Sequence, residues 1–281
     1  MSKVLCVGVA SLDTIVLVDK YPAADERVIA LQTMRAAGGP AMTSAVAMAR
    51  LGIDVALSCV IGDDEPGRFI IETLKREGVD ASNVVIDSNI ATANGTIVVS
   101  KSEETRAIMA RPHNKLPKKP SNIINYQWLH VDHFGVRALM EWQIPRGSGS
   151  TLSIDYGYAV AGVKPSDFDL YAPSEKVTTD LSTAKADNNM VVIPRGRNGC
   201  TFSDRGVEVS VPAIEIEVVS TLGAGDVFHG ALVAAQIWGK SLSESVQIAT
   251  VVAGLKCRSL DGQSGIPTKA ELDAYLAGVR I

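Results

Sequence analysis

Short, dense runs of apolar residues recur along this chain and are separated by stretches of helical spacing. VLCVGVA (4–10), VALSCVIG (55–62), WLHVD (128–132), TLSID (151–155) and NMVVIP (189–194) are too short for helices and too continuous for half-exposed strands. They predict the buried strands of a mostly parallel sheet. AMTSAVAMARLG (41–52) and GRFIIETLKREGV (67–79) place apolar residues on one helical face and each meets a glycine suited to a C-cap, so both predict helices. Strands alternating with helices mean an α/β fold with helices on both faces of the sheet. A second texture interrupts this one. TIVLVDKYP (14–22), RVIALQTMR (27–35), GTIVVSKS (95–102) and TRAIMARP (105–112) are β-branched and leave no room for helices within each pair. They predict two hairpins apart from the main sheet, together forming a lid over a cleft. The expected organisation is one domain over 1–281, with a lid from about 14–36 and 93–112. Residues 135–189 are the least legible, because GSGST and STAKADNN leave little length for the expected alternation.

Composition narrows the possibilities. With 281 residues and 46% hydrophobic content the chain fills one large domain. Its 27 basic and 31 acidic residues are spread evenly, for a net charge of −4, which argues against a nucleic-acid footprint. The opening MSKVLCVGVASLD reads as a first strand rather than a leader, and no apolar run is long enough to predict a membrane span. Cys6, Cys59, Cys200 and Cys257 are too far apart for a metal knot or a disulfide framework, so reduced thiols and a cytoplasmic location are expected. His113, His130, His133 and His229 show no metal spacing.

Candidate chemistry concentrates in TLGAGDVFHGALVAA (221–235). Val227, Phe228, Ala231, Leu232 and Ala235 form an apolar stripe of a helix starting near Gly225. Two glycines ahead of a helix start leave free backbone N–H groups open to an anion such as a phosphate. Asp226 reads two ways from the residues alone: a carboxylate favoured by the helix dipole, or a base beside an anion hole.

STLGAGDVFHGAL resembles the C-terminal signature of the ribokinase-like, or PfkB-type, carbohydrate kinases. GVASLD (8–13), AAGGPAMTSAVAMARLG (36–52) and VIGDDEPG (60–67) resemble that family's sugar-binding first strand end, Gly-Gly signature and following acidic turn, in the same order. The resemblance implies a three-layer α/β/α core with a small β lid, and an ATP-dependent kinase in which Mg2+ bridges the nucleotide phosphates. It implies Asp226 as the base, Gly223, Ala224 and Gly225 as the anion hole, and Asp13, Gly38, Gly39 and Thr43 toward the sugar. On the nucleotide side it implies Arg195, Gly196, Gly199, Thr221 and Gly225, with adenine against 250–268. GGPA with AVAMARLG, GAGDVFHGAL and GLKC (254–257) look closest to the sulfofructose kinase branch. A nucleoside kinase of the same fold, or a non-catalytic relative binding sugar or nucleotide, are the alternatives.

Three positions depart from the family pattern. The N-x-x-E magnesium motif is missing near APSEKVTTDL (172–181), where Glu175 is the candidate for the metal's water shell. Pro194 replaces the threonine of the phosphate segment, leaving Arg195 or Arg197 to compensate by charge. Ser220 replaces the aspartate opening the C-terminal signature, which predicts weak dependence on potassium. Four arginines border the expected lid: Arg27 and Arg35 on one alternating face, Arg106 and Arg111 flanking the other hairpin. Arg27 and Arg111 are the candidates for holding an anionic group on a sulfofructose-like sugar. The apolar surplus of TIVLV and GTIVV predicts a homodimer through the lid.

Overall fold

The structure is a computed structural model that describes residues 3–178, 180–181, 189–204 and 207–278. Its main sheet has eight strands in the order β14-β13-β12-β11-β10-β9-β1-β4. These are β1 (Val4–Val7), β4 (Val55–Ser58), β9 (Trp128–Val131), β10 (Thr151–Tyr156), β11 (Leu170–Pro173), β12 (Met190–Pro194), β13 (Cys200–Asp204) and β14 (Val207–Val211). The run from β4 through β12 pairs in parallel, and β13 and β14 extend it antiparallel. β1 shows why such strands read as unbroken apolar runs. Val4 and Cys6 enter the core on one face, Leu5 and Val7 the core on the other. Both faces are covered, so alternation in direction leaves no alternation in polarity.

Helices α1 (Pro40–Arg50), α2 (Glu65–Arg76), α3 (Gly135–Glu141), α4 (Ala224–Ile237), α5 (Leu242–Lys256) and α6 (Lys269–Leu276) surround the sheet. The first core joins residues of α1, α2, α4 and α5, and the second includes Val136, Ala138 and Leu139 of α3, giving three layers. α4 is buried on nearly all sides, from Val227 through Ala235, which goes beyond the single stripe its spacing predicts.

A second, four-stranded sheet has the order β3-β2-β7-β8, from β2 (Ser11–Val18), β3 (Gln32–Gly38), β7 (Asn94–Ser100) and β8 (Thr105–Arg111). β2 leaves the main sheet just beyond the C-terminal end of β1, so the second sheet stands over the ends of the parallel strands. Strand order reverses at β1, which lies between β4 and β9. Open parallel sheets gather their ligands at that kind of crevice.

Two expectations need correction. VALSCVIG is not one strand: after Ser58 the chain turns, the Cys59 carbonyl accepts from Val85 N at 2.9 Å, and β5 (Val60–Gly62) pairs with β6 (Val85–Asp87) in a separate two-stranded sheet. The run 27–35 is strand only from Gln32, because β2 ends at Val18 and leaves nothing for Arg27 to pair with. α2 itself is capped by Asp64, which accepts from Gly67 N at 2.9 Å.

Candidate active site

The start of α4 is shaped by close approach. Gly223 sits at φ 74°, and a Cβ there would lie 2.9 Å from both Cα and O of Gly262, so only glycine fits that turn. Ala224 N donates to Thr221 O at 3.2 Å, whereas the N–H groups of Gly225 and Asp226 have no backbone acceptor among the described residues. A Cβ at Gly225 would meet nothing within 4 Å, so this side of the turn is open. Free amides at a helix start favour an anion. α1 lies directly against α4: a Cβ at Gly230 would be 2.6 Å from Ser44 O, and Ser44 Oγ donates to Asp226 O at 2.9 Å. The Gly-Gly segment and the Gly-Ala-Gly-Asp segment, nearly 190 residues apart in sequence, are thus joined through two touching helices.

Behind Asp226 lies a buried polar line. Its carboxyl hydrogen-bonds that of Asp155, at the end of β10, and His229 Nε2 stands 3.2 Å from Asp155 Oδ1. Burial raises Asp155 to about 7, against its hydrogen bond with Asp226. Burial, then the charge of Asp155 and the hydrogen bond to it, raise Asp226 well above the usual carboxylate range, against the lowering charge of Arg106. The two carboxyls retain protons that isolated ones would lose. Burial pushes His229 and His130 down to about 3, so both rings are neutral and His229 donates its Nε2 hydrogen to Asp155. The His130 ring lies 6.3 Å from that of His229, and its Nδ1 is 2.8 Å from Ser153 Oγ, which also accepts from Trp128 Nε1 at 2.6 Å. Asp132, beyond the end of β9, accepts from Val9 N, Phe134 N and Gly135 N at 2.7–2.8 Å and from Ala41 N at 3.3 Å, holding three segments at the strand ends.

The second sheet brings Asp13 over this region. Asp13 shares a face with Ile15, and Ile15, Ile97 and Val99 pack on Leu222 and Leu260, so that face looks onto the Gly223 turn. Glycines flank the Asp13 carboxylate. A Cβ at Gly38 would be 2.5 Å from Oδ2 and one at Gly95 2.9 Å from Oδ1. Ser11 Oγ donates to Oδ2 at 3.2 Å, and burial raises the carboxyl above its usual range. Gly39, at φ 92°, precedes Pro40 at the first turn of α1, where a Cβ would strike Val9 O at 2.5 Å. Thr43 is buried, and its Oγ1 accepts from Gln263 Nε2 at 3.4 Å.

Register separates the four arginines. Arg106 pairs with Val99, on the face of Asp13, and its Nη1 donates to Thr221 Oγ1 at 3.0 Å. Arg111 pairs with Asn94, which pairs with Leu12, and so falls on the opposite face. Arg35 forms a double hydrogen bond with Glu65, at 3.1 and 2.6 Å. Arg27 is exposed in the segment before β3, so the shared alternating face expected for Arg27 and Arg35 does not form.

On the other side of the turn, Gly199 at φ 81° would place a Cβ 2.0 Å from Val211 O, which fixes the bend between β12 and β13. Gly196, at φ 54°, opens the short turn with exposed Arg197. Arg195 Nη1 lies 3.2 Å from Glu175 Oε1, and its Nε donates to Thr201 Oγ1 at 3.0 Å. Glu175 is therefore occupied by a cation of the protein itself. Among the described residues no three His, Cys, Asp or Glu side chains converge as a metal site.

Asp155, Asp132 and Arg106 in its role beside Thr221 were not singled out as site residues by the sequence. For the first two a signal existed: each is a carboxylate at the carboxyl end of a parallel strand.

An open anion-binding turn, a carboxyl beside it and a covering sheet carrying a second carboxylate are the parts of a phosphotransferase with an alcohol group as acceptor. The chain belongs to the pfkB family carbohydrate kinases, whose pattern matches residues 1–139 and 159–269. It is 26% identical to the ribokinase of Bacillus subtilis, over 99% of this chain and 100% of that one. A putative ribokinase from Agrobacterium tumefaciens superposes with a TM-score of 0.86 at 26% identity, covering 99% of this chain and 98% of the other. The ribokinase of Cryptococcus neoformans var. grubii in complex with ADP has the same fold, with a TM-score of 0.82 at 21% identity over 98% and 100% of the two chains. Among the described residues no helix is long and apolar enough to cross a membrane.

Proposed function

We propose that this chain transfers the γ-phosphoryl group of ATP to a hydroxyl of a monosaccharide held between the Asp13 face of the second sheet and the start of α4. The observation that carries the reading is Asp226 in the first turn of α4, beside the unengaged amides of Gly225 and itself. The acceptor oxygen attacks the γ-phosphorus, its proton passes to Asp226, and ADP leaves. The amides hold the charge that spreads over the transferring group. Of the pair Asp226 is raised further and donates the shared proton to Asp155, so Asp226 serves as the base in the form of the pair that has given up that proton. Because its carboxyl is raised, Asp226 is a stronger base than an ordinary aspartate.

The second sheet acts as a lid. Arg106 bridges it to Thr221, and closure excludes the water that would otherwise hydrolyse the nucleotide. Asp13 and the turn at Gly38 and Gly39 orient the sugar, while Arg195, Gly196 and Gly199 face the nucleotide side. A sulfofructose-like substrate held by Arg27 and Arg111 is supported less well than a neutral sugar, since register turns Arg111 away from Asp13. The test is ADP release over a panel of neutral sugars, their sulfonated or phosphorylated counterparts, and nucleosides. Turnover of a neutral monosaccharide is expected. Preference for a nucleoside, or ADP release with no acceptor dependence, would overturn the reading, and an anionic preference abolished by Arg111→Ala would restore the sulfonate assignment.

A further inference from the structure

Lys256 is the last residue of α5, and its side chain is 0% exposed. A lysine is rarely buried without a partner, because its ammonium loses most of its hydration. Here Nζ donates to the main-chain carbonyl of Ser220 at 3.2 Å. That carbonyl belongs to the peptide entering the Gly223 turn. The backbone around Lys256 is fixed as well: Val219 N and Ser220 N both donate to Cys257 O, at 2.9 and 3.1 Å. On the other side the Lys256 carbonyl accepts from Ser259 N, and a Cβ at Gly265 would lie 2.5 Å from it. Lys256 thus stands where the segment 219–223 and the loop 258–266 meet.

The groups bearing on the ammonium are Cys257 on its own helix end, Asp261 in the following loop, Asp226 at the start of α4 and Arg106 from the second sheet. Burial lowers Lys256 to about 8, with Arg106 in the same direction, while Cys257, Asp261 and Asp226 favour the charged form. At neutral pH the charged form prevails. The positive charge lies behind the turn rather than in the solvent in front of it.

We propose that Lys256 is a positioning residue whose ammonium serves as a built-in cation for the anion-binding turn, so that no cation from solution is needed there. The Ser220 side chain has its own task, accepting from Leu222 N at 3.1 Å, and leaves its carbonyl to the lysine. Fixing that carbonyl fixes the peptide plane that leads into Thr221 and Leu222. The charge adds to the field of the helix start without touching the transferred group.

The inference rests on the kinase reading, and its test separates the two by measuring binding as well as turnover. The probe is the non-hydrolysable ATP analogue AMP-PNP, titrated calorimetrically at matched ionic strength in N-methylglucamine, sodium, potassium or ammonium buffers. Wild type should bind equally in all four. Lys256→Gln keeps a donor for the Ser220 carbonyl but removes the charge; in N-methylglucamine it should bind about tenfold more weakly. Potassium or ammonium should restore binding in the variant, which a merely structural role does not predict. Lys256→Met, lacking donor and charge, should show the same cation dependence, and thermal melts identify which variant remains folded. Wild type activated tenfold or more by potassium, variants that bind like wild type, or a loss no cation relieves would overturn the proposal, as would failure of wild type to bind. Binding without turnover of any acceptor would count against the kinase reading alone.

Discussion

Asp226→Asn separates the chemistry of the site from its effect on stability, because the two should move in opposite directions. The amide keeps the volume of the carboxyl and removes the proton acceptor, so kcat should fall by at least ~10²-fold, the lower end of general-base contributions. Stability should rise. Both Asp155 and Asp226 are displaced upward, Asp155 from 3.8 to about 7 and Asp226 well above its ordinary value. Between the unfolded and folded values the folded protein holds protons that the unfolded chain has lost, so the contribution is complete below about pH 4 and is lost as pH rises toward the folded values. One such group makes stability fall by about 1.4 kcal/mol for each pH unit in that interval. Wild type should therefore lose about 1.4 kcal/mol per pH unit more than Asp226→Asn between roughly pH 5 and 6.5, with other groups common to both proteins. Urea titrations at half-unit pH steps measure the slopes, and ADP release measures kcat. Turnover within tenfold of wild type would show that the base lies elsewhere, and parallel stability profiles would show that Asp226 carries no buried proton.

Gly223→Ala should cost about 1–3 kcal/mol and at least a tenfold loss of kcat/KM, since it adds a Cβ at positive φ against the backbone of Gly262; unchanged melting and turnover would refute the fit of that turn. Asp132→Ala removes the acceptor of several amides and should destabilise by about 3 kcal/mol or more, read as a lower urea midpoint, because a buried unsatisfied donor costs about 1–3 kcal/mol. A homodimer is expected through the second sheet, where β8 is exposed along its whole length and Met109 and Leu31 are each 56% exposed; sedimentation of a monomer at micromolar concentration would refute it.

The core strands and the helices α1 and α2 were legible because burial on both faces writes continuous apolar runs and amphipathic helices write a period. β11 was not, since LYAP is four residues ending in proline within a stretch of loops. Strands β13 and β14 went unread because CTFSD and VEVSV alternate with polar residues at an antiparallel edge, which resembles loop composition. At the site, Gly-Ala-Gly-Asp was legible as a helix start, and family resemblance directed attention to Asp226. Its partner Asp155 was hidden, because pairing across 71 residues depends on which strand end faces which helix. Lys256 was hidden for a related reason: α5 reads as apolar on several sides, and one lysine at its end looks like an ordinary solvated terminus.

The seam between α1 and α4 fixes more than packing. Where Gly230 meets Ser44 and Ala47 the helices touch almost backbone to backbone, and a methyl group there has no space. In the proposed reaction the turn that receives the acceptor and the turn that receives the phosphoryl group are thereby mounted on one splint. The second sheet joins the core at four places, through Ala10 before β2, Gly39 between β3 and α1, the segment before Asn94 and the segment after Arg111, and in the proposed reaction it is the part that opens and closes. In that reading the fold divides its labour into a stationary gauge, which sets the distance over which the phosphoryl group travels, and a cover that closes over the acceptor.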